Sequence, residues 1–160
     1  MVDEDDRIVG VKTRGEIHEL GLMHRAVHIL VFNNQGQLFI QKRSMSKDDQ
    51  PGLWDSSAAG HVDSGEDYHS CAIRELGEEL GIETPALLEK LFRLPASTIT
   101  GMEHCIVYQI MHEGPFELQA EEIDEGAWIS AEEMDRRVGE ADPTLTLVLQ
   151  FIWKKYRQDF

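Results

Sequence analysis

GHVDSGEDYHSCAIRELGEELGI, residues 60–82, decides the fold, because this stretch predicts a helix with two different faces. Glu75, Glu78 and Glu79 stand at i, i+3 and i+4, so their carboxylates share one side of a helix. The opposite side is an apolar stripe suited to a protein core. This stripe consists of Ala72, Ile73, Leu76 and Leu80.

We expect the helix to begin near Glu66 or Asp67, after the turn-forming residues 63–65. It should end at Leu80, because Gly81 suits the left-handed residue that follows a helix end. The stretch therefore predicts a loop, a helix and a second loop.

Three carboxylates on neighbouring turns repel one another. Without a partner, this repulsion raises their pKa values or frays the helix. A divalent cation is one such partner, and oxygen ligands are those that Mg²⁺ or Mn²⁺ prefers. The alternative is a solvated acidic face, which is the usual meaning of an isolated ExxEE pattern.

The residues around the glutamates favour the cation. Gly60, Glu66 and the run RELGEELGI at 74–82 resemble the Nudix box at every fixed position. Nine positions at rigid spacing make this pattern far more specific than a short glycine motif. The resemblance implies a loop–helix–loop that binds divalent cations for the hydrolysis of diphosphates.

The same resemblance implies roles for the residues of the box. Mg²⁺ or Mn²⁺ would be held by the carboxylates of Glu75, Glu78 and Glu79 and by the Gly60 carbonyl. Either Glu75 or Glu79 would act as the general base. Arg74 would orient a box glutamate, and a salt bridge to Glu66 would fix the helix against the preceding loop.

Composition narrows the class of protein. We interpret the 160 residues as one domain, 1–160, with a flexible acidic tail at 1–7. The formal charge of −15 disfavours nucleic acid and anionic membranes as partners, and it points to a metal if the substrate is anionic.

We find neither a membrane-spanning run nor a secretory start, and expect a cytoplasmic protein. Cys71 and Cys105 are too few for a disulfide framework and are expected to be buried.

Alternating apolar and polar residues predict strands before the box at 8–14, 24–32, 37–43 and 53–62. Turns are predicted at 15–16 and 33–36. After the box, strands are predicted at 87–94, 103–113, 116–119 and 126–129. Ser130 and Glu133 predict a capped helix ending near Val138, and Asp142-Pro143 predicts the start of the last helix. This order indicates an α/β (α+β) fold, a mixed β-sheet sandwiched between helices, as in the Nudix fold.

A second resemblance, over about residues 22–108, is to isopentenyl-diphosphate isomerases, which share the Nudix fold. It is carried by motifs that include His24-Arg25-Ala26, Gly60-His61 and Glu103-His104-Cys105. It implies that His24, His61 and Glu103 match metal-binding or acidic active-site positions. The isomerases place a catalytic cysteine just before the Gly-His, where this chain has Ala58-Ala59. Isomerisation needs both an acid and a base, so this change removes half of the mechanism.

We therefore interpret the chain as a Nudix-type pyrophosphohydrolase acting on a P–O–P bond in a nucleoside diphosphate, free or linked to another group. Glu103 is the first choice for a further acid from outside the box, ahead of Glu121 and Glu122. Substrate phosphate contacts are assigned to Arg25, Arg43, Lys47 and His61. Surface salt bridges are the alternative for the cationic residues among these.

The rival functions are an isomerase of isopentenyl diphosphate and a Nudix-fold module that binds a nucleotide without turnover. A homodimer is a family expectation. The intact box argues against both rivals.

Overall fold

The computed structural model describes residues 1–83 and 88–160. Its elements in chain order are α1 (Arg14–Leu20), β1 (His24–Phe32), β2 (Leu38–Arg43), β3 (Trp54–Asp55), β4 (Ala58–His61), α2 (Tyr68–Leu80), β5 (Glu89–Leu94), β6 (Glu103–Met111), β7 (Ile123–Ile129), α3 (Ala131–Gly139) and α4 (Leu147–Asp159). Within the described ranges, none of the helices has the length and apolar character needed to cross a lipid bilayer.

Within the described residues, seven strands form one sheet in the order β3-β2-β1-β6-β5, with β4 paired to β1 and β7 paired to β2. Strand β1 runs parallel to β6, with His24 opposite Glu103. The other pairs are antiparallel. The predicted mixed sheet is confirmed.

Side chains of β1 alternate between two cores, as the period of a strand requires. Ala26 and Leu30 face a first core, in which α3 and α4 pack on the sheet. Val27, Ile29 and Val31 face a second core, in which α2 packs on the other side. The sheet therefore lies between helices, as the sequence predicts.

Helix α2, which carries the box, begins and ends close to the predicted residues. Asp67 is its N-cap and accepts a hydrogen bond from the Ser70 amide. Gly81 lies in the left-handed region at φ 73°, and its amide donates to the Gly77 carbonyl. Local capping chemistry thus fixes both ends of this helix.

The strand predicted at 8–14 is wrong, because Ile8 forms an isolated bridge to the N-terminal segment and the following residues join no strand of the sheet. The turn predicted at 15–16 is also wrong, since α1 occupies these positions. The Thr13 hydroxyl accepts a hydrogen bond from the Glu16 amide and caps this helix. A good N-cap prevails over a weak alternation of apolar residues.

The acidic start, expected to be a flexible tail over 1–7, packs against the rest of the chain. Val2 is buried, and its amide donates to the Met23 carbonyl. The His104 ring nitrogen Nε2 lies 2.9 Å from the Asp3 carbonyl oxygen. These contacts hold the segment at the end of the sheet where β1 and β6 begin.

The strand predicted at 53–62 is divided into β3 and β4 by two buried residues, Ser56 and Ser57. The Ser57 hydroxyl accepts a hydrogen bond from the Val31 amide and donates one to the Phe39 carbonyl. A side chain therefore takes the place of the backbone ladder at the point where β1 and β2 diverge.

The last helix begins at Leu147 rather than at Asp142. The Asp142 carboxylate accepts a hydrogen bond from the Thr144 amide and forms a turn. Thr146 is the N-cap, and its hydroxyl accepts from the Leu149 amide. Asp142 and Thr146, four positions apart, can each cap a helix here, and the sequence analysis chose Asp142.

Residues 116–119, predicted as a strand, instead bind the end of helix α2. The Glu117 amide donates to the Leu80 carbonyl, and the Gln119 amide donates to the Glu79 carbonyl. This segment therefore satisfies carbonyl groups that the helix itself leaves without a partner.

Other boundaries differ less. The strand predicted at 87–94 is observed as β5, although Leu87, like Pro85, lies outside the described residues. Strand β6 ends at Met111 rather than at 113, and β7 begins at Ile123 rather than at 126.

The cap of α3 is confirmed, since the Ser130 hydroxyl accepts from the Glu133 amide. Both cysteines are buried, as predicted, and burial raises the pKa of the Cys71 and Cys105 thiols.

Candidate active site

Strand β4 and helix α2 meet at Gly60. A Cβ atom at this position would lie 2.1 Å from the Cδ atom of Glu75, which real structures do not tolerate. The missing side chain therefore makes room for the carboxylate to lie against the backbone of β4. This close approach explains why the pattern has glycine here.

Glu79 is the most enclosed carboxylate of the box, at 5% exposure. Its Oε1 accepts a hydrogen bond of 2.9 Å from the Gln41 amide group, and its Oε2 accepts one of 3.1 Å from the Ala59 amide. Burial, with the nearby charge of Glu75, raises the pKa of Glu79 well above its ordinary value. Glu79 is thus held in a fixed position at a cost in electrostatic energy.

Glu75 shares this environment. Burial is the main cause that raises the pKa of Glu75, and hydrogen bonds from Glu79 and Arg74 oppose it only in part. Two enclosed carboxylates one helical turn apart repel each other, and a divalent cation would relieve that repulsion. Glu75, Glu79 and the Gly60 backbone therefore fit the cation that the sequence analysis predicts.

Glu78 is in a different environment. Its side chain is 50% exposed, and one carboxylate oxygen accepts a hydrogen bond of 3.1 Å from Arg74. Glu78 therefore lies at the solvent side of the same helix face, where a cation or a substrate would be accessible to it.

Arg74 ties the helix to the preceding loop. Its Nε and Nη2 atoms donate to the two oxygens of Glu66 at 2.9 and 3.1 Å, so the predicted salt bridge is present. The guanidinium also donates to the His61 carbonyl at 3.0 Å and to Glu75 at 2.9 Å. The flat guanidinium group thus orients Glu75 while it fixes the loop.

A second cluster lies on the first-core face of the sheet. Its members are His24, His61 and Glu103. One oxygen of Glu103 lies 2.8 Å from Nε2 of His61 and 3.2 Å from Nε2 of His24. The Leu22 carbonyl lies 3.0 Å from Nδ1 of His24 and fixes the orientation of that ring.

Electrostatics bind this cluster together. Burial alone would raise the pKa of Glu103, but hydrogen bonds from His24 and His61 lower it far below its ordinary value. Burial alone would lower the pKa of His24, but the bond to Glu103 raises it. The donor atoms of the three residues lie within 4.8 Å of one another, a spacing that could hold a metal ion.

Strand pairing assembles this cluster. His24 is opposite Glu103 in the parallel β1–β6 pair, and His61 is opposite Ala26 in the β1–β4 pair. Glu103, predicted as a further acid for the box, thus makes its contacts with the histidines. At the position where the isomerases have cysteine, this chain has Ala59, whose methyl group can neither donate nor accept a proton.

The predicted phosphate contacts are all engaged within the chain. Arg25 donates to Asp6 at 2.7 Å, and Arg43 donates to the Asp49 carbonyl at 2.9 Å. Lys47 pairs with Glu122. The salt-bridge alternative describes Arg25, Lys47 and also Arg43, whose Nη1 lies 3.6 Å from the Asp55 carboxylate, and His61 belongs to the second cluster.

Sequence reasoning missed Gln41, which positions Glu79. Gln41 is also one of the residues that resemble the isomerases, but no role was assigned to it; a further signal was its place on the strand face that also carries Phe39, since both residues alternate with Ile40. Glu121, named as a further candidate acid, is exposed in a turn before β7.

Comparison with known proteins agrees with this geometry. The model of the NUDIX domain matches residues 22–148. An uncharacterised Nudix hydrolase of Pseudomonas aeruginosa is 42% identical over 134 residues, which cover 82% of this chain and 77% of that protein. An isopentenyl-diphosphate Delta-isomerase of Photorhabdus laumondii is 42% identical over 85 residues, 53% of this chain and 48% of that protein.

Among solved structures, DR0079 from Deinococcus radiodurans superimposes with a TM-score of 0.84 at 29% identity, covering 96% of this chain and 95% of that one. The NUDIX domain of Shewanella oneidensis NrtR, solved with ADP ribose, shares the fold with a TM-score of 0.66 at 16% identity, over 92% and 98% of the two chains. The match of the family model to most of the sequence, together with the identity to the Pseudomonas relative, shows that this chain belongs to the Nudix hydrolase family.

Proposed function

We propose that this protein hydrolyses the P–O–P bond of a nucleoside diphosphate, free or linked to another group, with Mg²⁺ or Mn²⁺ as cofactor. The observation that carries the proposal is the enclosed pair Glu75 and Glu79, packed against Gly60. Such a pair is costly without a cation and is well suited to bind one.

The cation would be held by Glu75, Glu79 and the Gly60 carbonyl, with Glu78 completing the set from the solvent side. When bound, Mg²⁺ neutralises charge on the diphosphate and favours departure of the phosphate leaving group. The protein itself supplies rigid positions for these carboxylates.

Either Glu75 or Glu79 would accept the proton of the water that attacks the diphosphate. Both carboxylates lie where the cation and that water would meet the diphosphate. Arg74 acts as a positioning residue, because its bonds to Glu66 and to the His61 carbonyl fix where it meets Glu75.

A nucleotide-linked substrate is supported by the ADP ribose bound to the structural neighbour NrtR, which shares the fold. We place the reaction in the cytoplasm, where the unpaired buried thiols of Cys71 and Cys105 would stay reduced.

We also propose that His24, His61 and Glu103 form a second cation site on the opposite face of the sheet from the first. Two neutral imidazoles and one carboxylate are a common ligand set for divalent transition metals such as Mn²⁺. The isomerase reaction is disfavoured, because Ala59 cannot supply the acid that a cysteine would supply.

A metal-supplemented substrate panel tests the function. Purified protein is incubated with Mg²⁺ or Mn²⁺ and with nucleoside diphosphates, nucleoside diphosphate sugars and ADP ribose, and the products are separated. We expect metal-dependent release of a nucleoside monophosphate or phosphate from at least one compound. Ligand-induced thermal stabilisation without product over long incubation would instead indicate a binding module, and deuterium exchange into isopentenyl diphosphate an isomerase.

A further inference from the structure

An open apolar cavity of about 270 Å³ lies beside the C-terminal end of helix α2. Its walls include Phe39 of β2, Trp128 of β7, and Phe116 and Leu118 of the segment that follows β6. This volume falls just below the roughly 300 Å³ at which pockets for whole drug-sized ligands begin. The cavity therefore suits a single ring system rather than a complete dinucleotide.

Three aromatic rings give the cavity its chemistry. The ring of Phe39 lies 4.6 Å from that of Phe116 and 5.3 Å from that of Trp128, measured between centroids. Phe39 is buried, whereas Phe116 and Trp128 are half-buried and keep part of their surface open to the cavity. Exposed aromatic surface in a concave site favours a planar, polarisable ligand.

The absence of a side chain at Gly126 leaves room for the Phe39 ring at the base of the cavity. A Cβ atom here would lie 2.2 Å from Cζ of Phe39. The phenyl ring can lie across β7 only because this residue has no side chain. The cavity thus depends on a close approach that a larger residue would prevent.

The cavity is joined to the active site by two connections. Gln41 lies two residues beyond Phe39 on the same strand face, and it holds the Glu79 carboxylate. The segment that carries Phe116 is hydrogen-bonded to the backbone of Glu79, through the Gln119 amide at 3.1 Å. The cavity therefore lies on the same face of the sheet as the enclosed carboxylates, and its walls contact the residues that hold Glu79.

We propose that this cavity binds the nucleobase of the substrate, in contact with Trp128 and Phe116, while the diphosphate extends to the box; this rests on the proposed function. A base is planar, uncharged at neutral pH and of the right size. A flexible isoprenoid chain would gain less from flat aromatic walls, and it is the rival occupant.

Binding of product-like probes tests the cavity without any turnover. Affinities of the four common nucleoside monophosphates, ribose 5-phosphate and geranyl phosphate are measured by titration calorimetry in EDTA. We expect at least one nucleotide to bind about tenfold or more tightly than ribose 5-phosphate, because base stacking on an aromatic ring contributes about that much. Geranyl phosphate should bind no better than ribose 5-phosphate.

Variants assign the affinity to this cavity. Trp128→Ala and Phe116→Ala should each weaken nucleotide binding about tenfold, and Trp128→Phe should restore most of it. Phe151→Ala, which truncates an exposed aromatic residue of α4, is the matched control and should change nothing. Circular dichroism confirms that each variant is folded.

The outcomes separate this proposal from the proposed function. Equal affinity for nucleotide and ribose 5-phosphate, unchanged binding in both alanine variants, or tight binding of geranyl phosphate would overturn the cavity assignment. If nucleotides bind in the cavity but no diphosphate is hydrolysed with any metal, the proposed function fails and the cavity stands. With an active enzyme, the alanine variants should raise KM for the nucleotide substrate far more than they lower kcat.

Discussion

Gly60 and Glu75 are in such close contact that the position of one determines the residue type of the other. The carboxylate of Glu75 occupies the space that any side chain at position 60 would need. The strand and the helix therefore approach each other at the same point where the box collects its charges.

Gly60→Ala tests this contact. The new methyl group would displace the Glu75 carboxylate, so we expect a loss of at least about a hundredfold in turnover and weaker Mn²⁺ binding. Overpacking should also lower the free energy of unfolding by about 1–3 kcal/mol. Gly139→Ala is the matched control, because a Cβ there meets nothing within 4 Å. Equal effects of the two substitutions would contradict this account.

Glu79→Gln removes one charge of the enclosed pair with almost no change of shape. We expect turnover to fall about a thousandfold, equivalent to about 4 kcal/mol of transition-state stabilisation. Mn²⁺ should also no longer raise the unfolding temperature as it does in the wild type. Glu132→Gln, on the exposed side of α3, controls for loss of one negative charge. Wild-type turnover in both Glu78→Gln and Glu79→Gln would refute the assignment of the box.

Arg74→Lys keeps the charge but loses the two-oxygen contact with Glu66. Since positioning residues around metal ligands contribute about 10- to 100-fold, we expect a decrease in kcat of that order. Glu66→Gln should act in the same direction. Because both substitutions break one contact, the double variant should be little worse than either single one, and additive losses would argue for separate roles.

Asp6 links the N-terminal segment to the sheet and to α2. It accepts hydrogen bonds of 2.7 Å from Arg25, Arg93 and Tyr68. Burial alone would raise the pKa of Asp6, but these bonds lower it below its ordinary value of 3.8. The stability that the carboxylate contributes is therefore present above that value and lost as the pH falls through the lower pKa of the folded state.

Asp6→Asn should thus lower the free energy of unfolding by about 1–2 kcal/mol at pH 7. The difference from the wild type should shrink once the pH is below about 3.8. Asp5→Asn, an exposed neighbour, should show neither effect. Urea unfolding at several pH values measures these free energies. If the difference between variant and wild type grew on acidification, the proposed role of the Asp6 carboxylate would be contradicted.

Glu103→Gln tests the second cation site. The substitution removes the one negative charge that the two histidines share, so we expect the number of bound Mn²⁺ ions per protein to fall while the box still binds its cation. Metal analysis after gel filtration gives the count. An unchanged count in Glu103→Gln, with a loss in Glu79→Gln, would show that only the box binds metal.

Local chemistry made α2 predictable. The cap at Asp67, the left-handed Gly81 and the spacing of the glutamates all depend on residues within a few positions of one another. The same holds for the Ser130 cap. Where two local signals compete, as at Asp142 and Thr146, the sequence does not rank them, because the choice depends on how the following helix packs.

Contacts between residues that are distant in the sequence could not be predicted from local patterns. The spacing of residues does not reveal that β1 pairs in parallel with β6, so His24 and Glu103 were brought together only by resemblance to the isomerases. The burial of Glu79 beneath Gln41 likewise depends on where β1 and β2 diverge. Alternation at 8–14 failed for a local reason, since Thr13 caps a helix that begins at Arg14 and the residues after Ile8 join no strand of the described sheet.

Strand β4 is only four residues long, yet its last two residues serve the two candidate cation sites from opposite sides of the sheet. A one-residue insertion or deletion within it would exchange the two directions, placing the imidazole of His61 against Glu75 and the bare glycine beside Glu103. Both sites would be lost in a single genetic event. Variation in chain length is therefore tolerable in the loops that flank this strand and not within it.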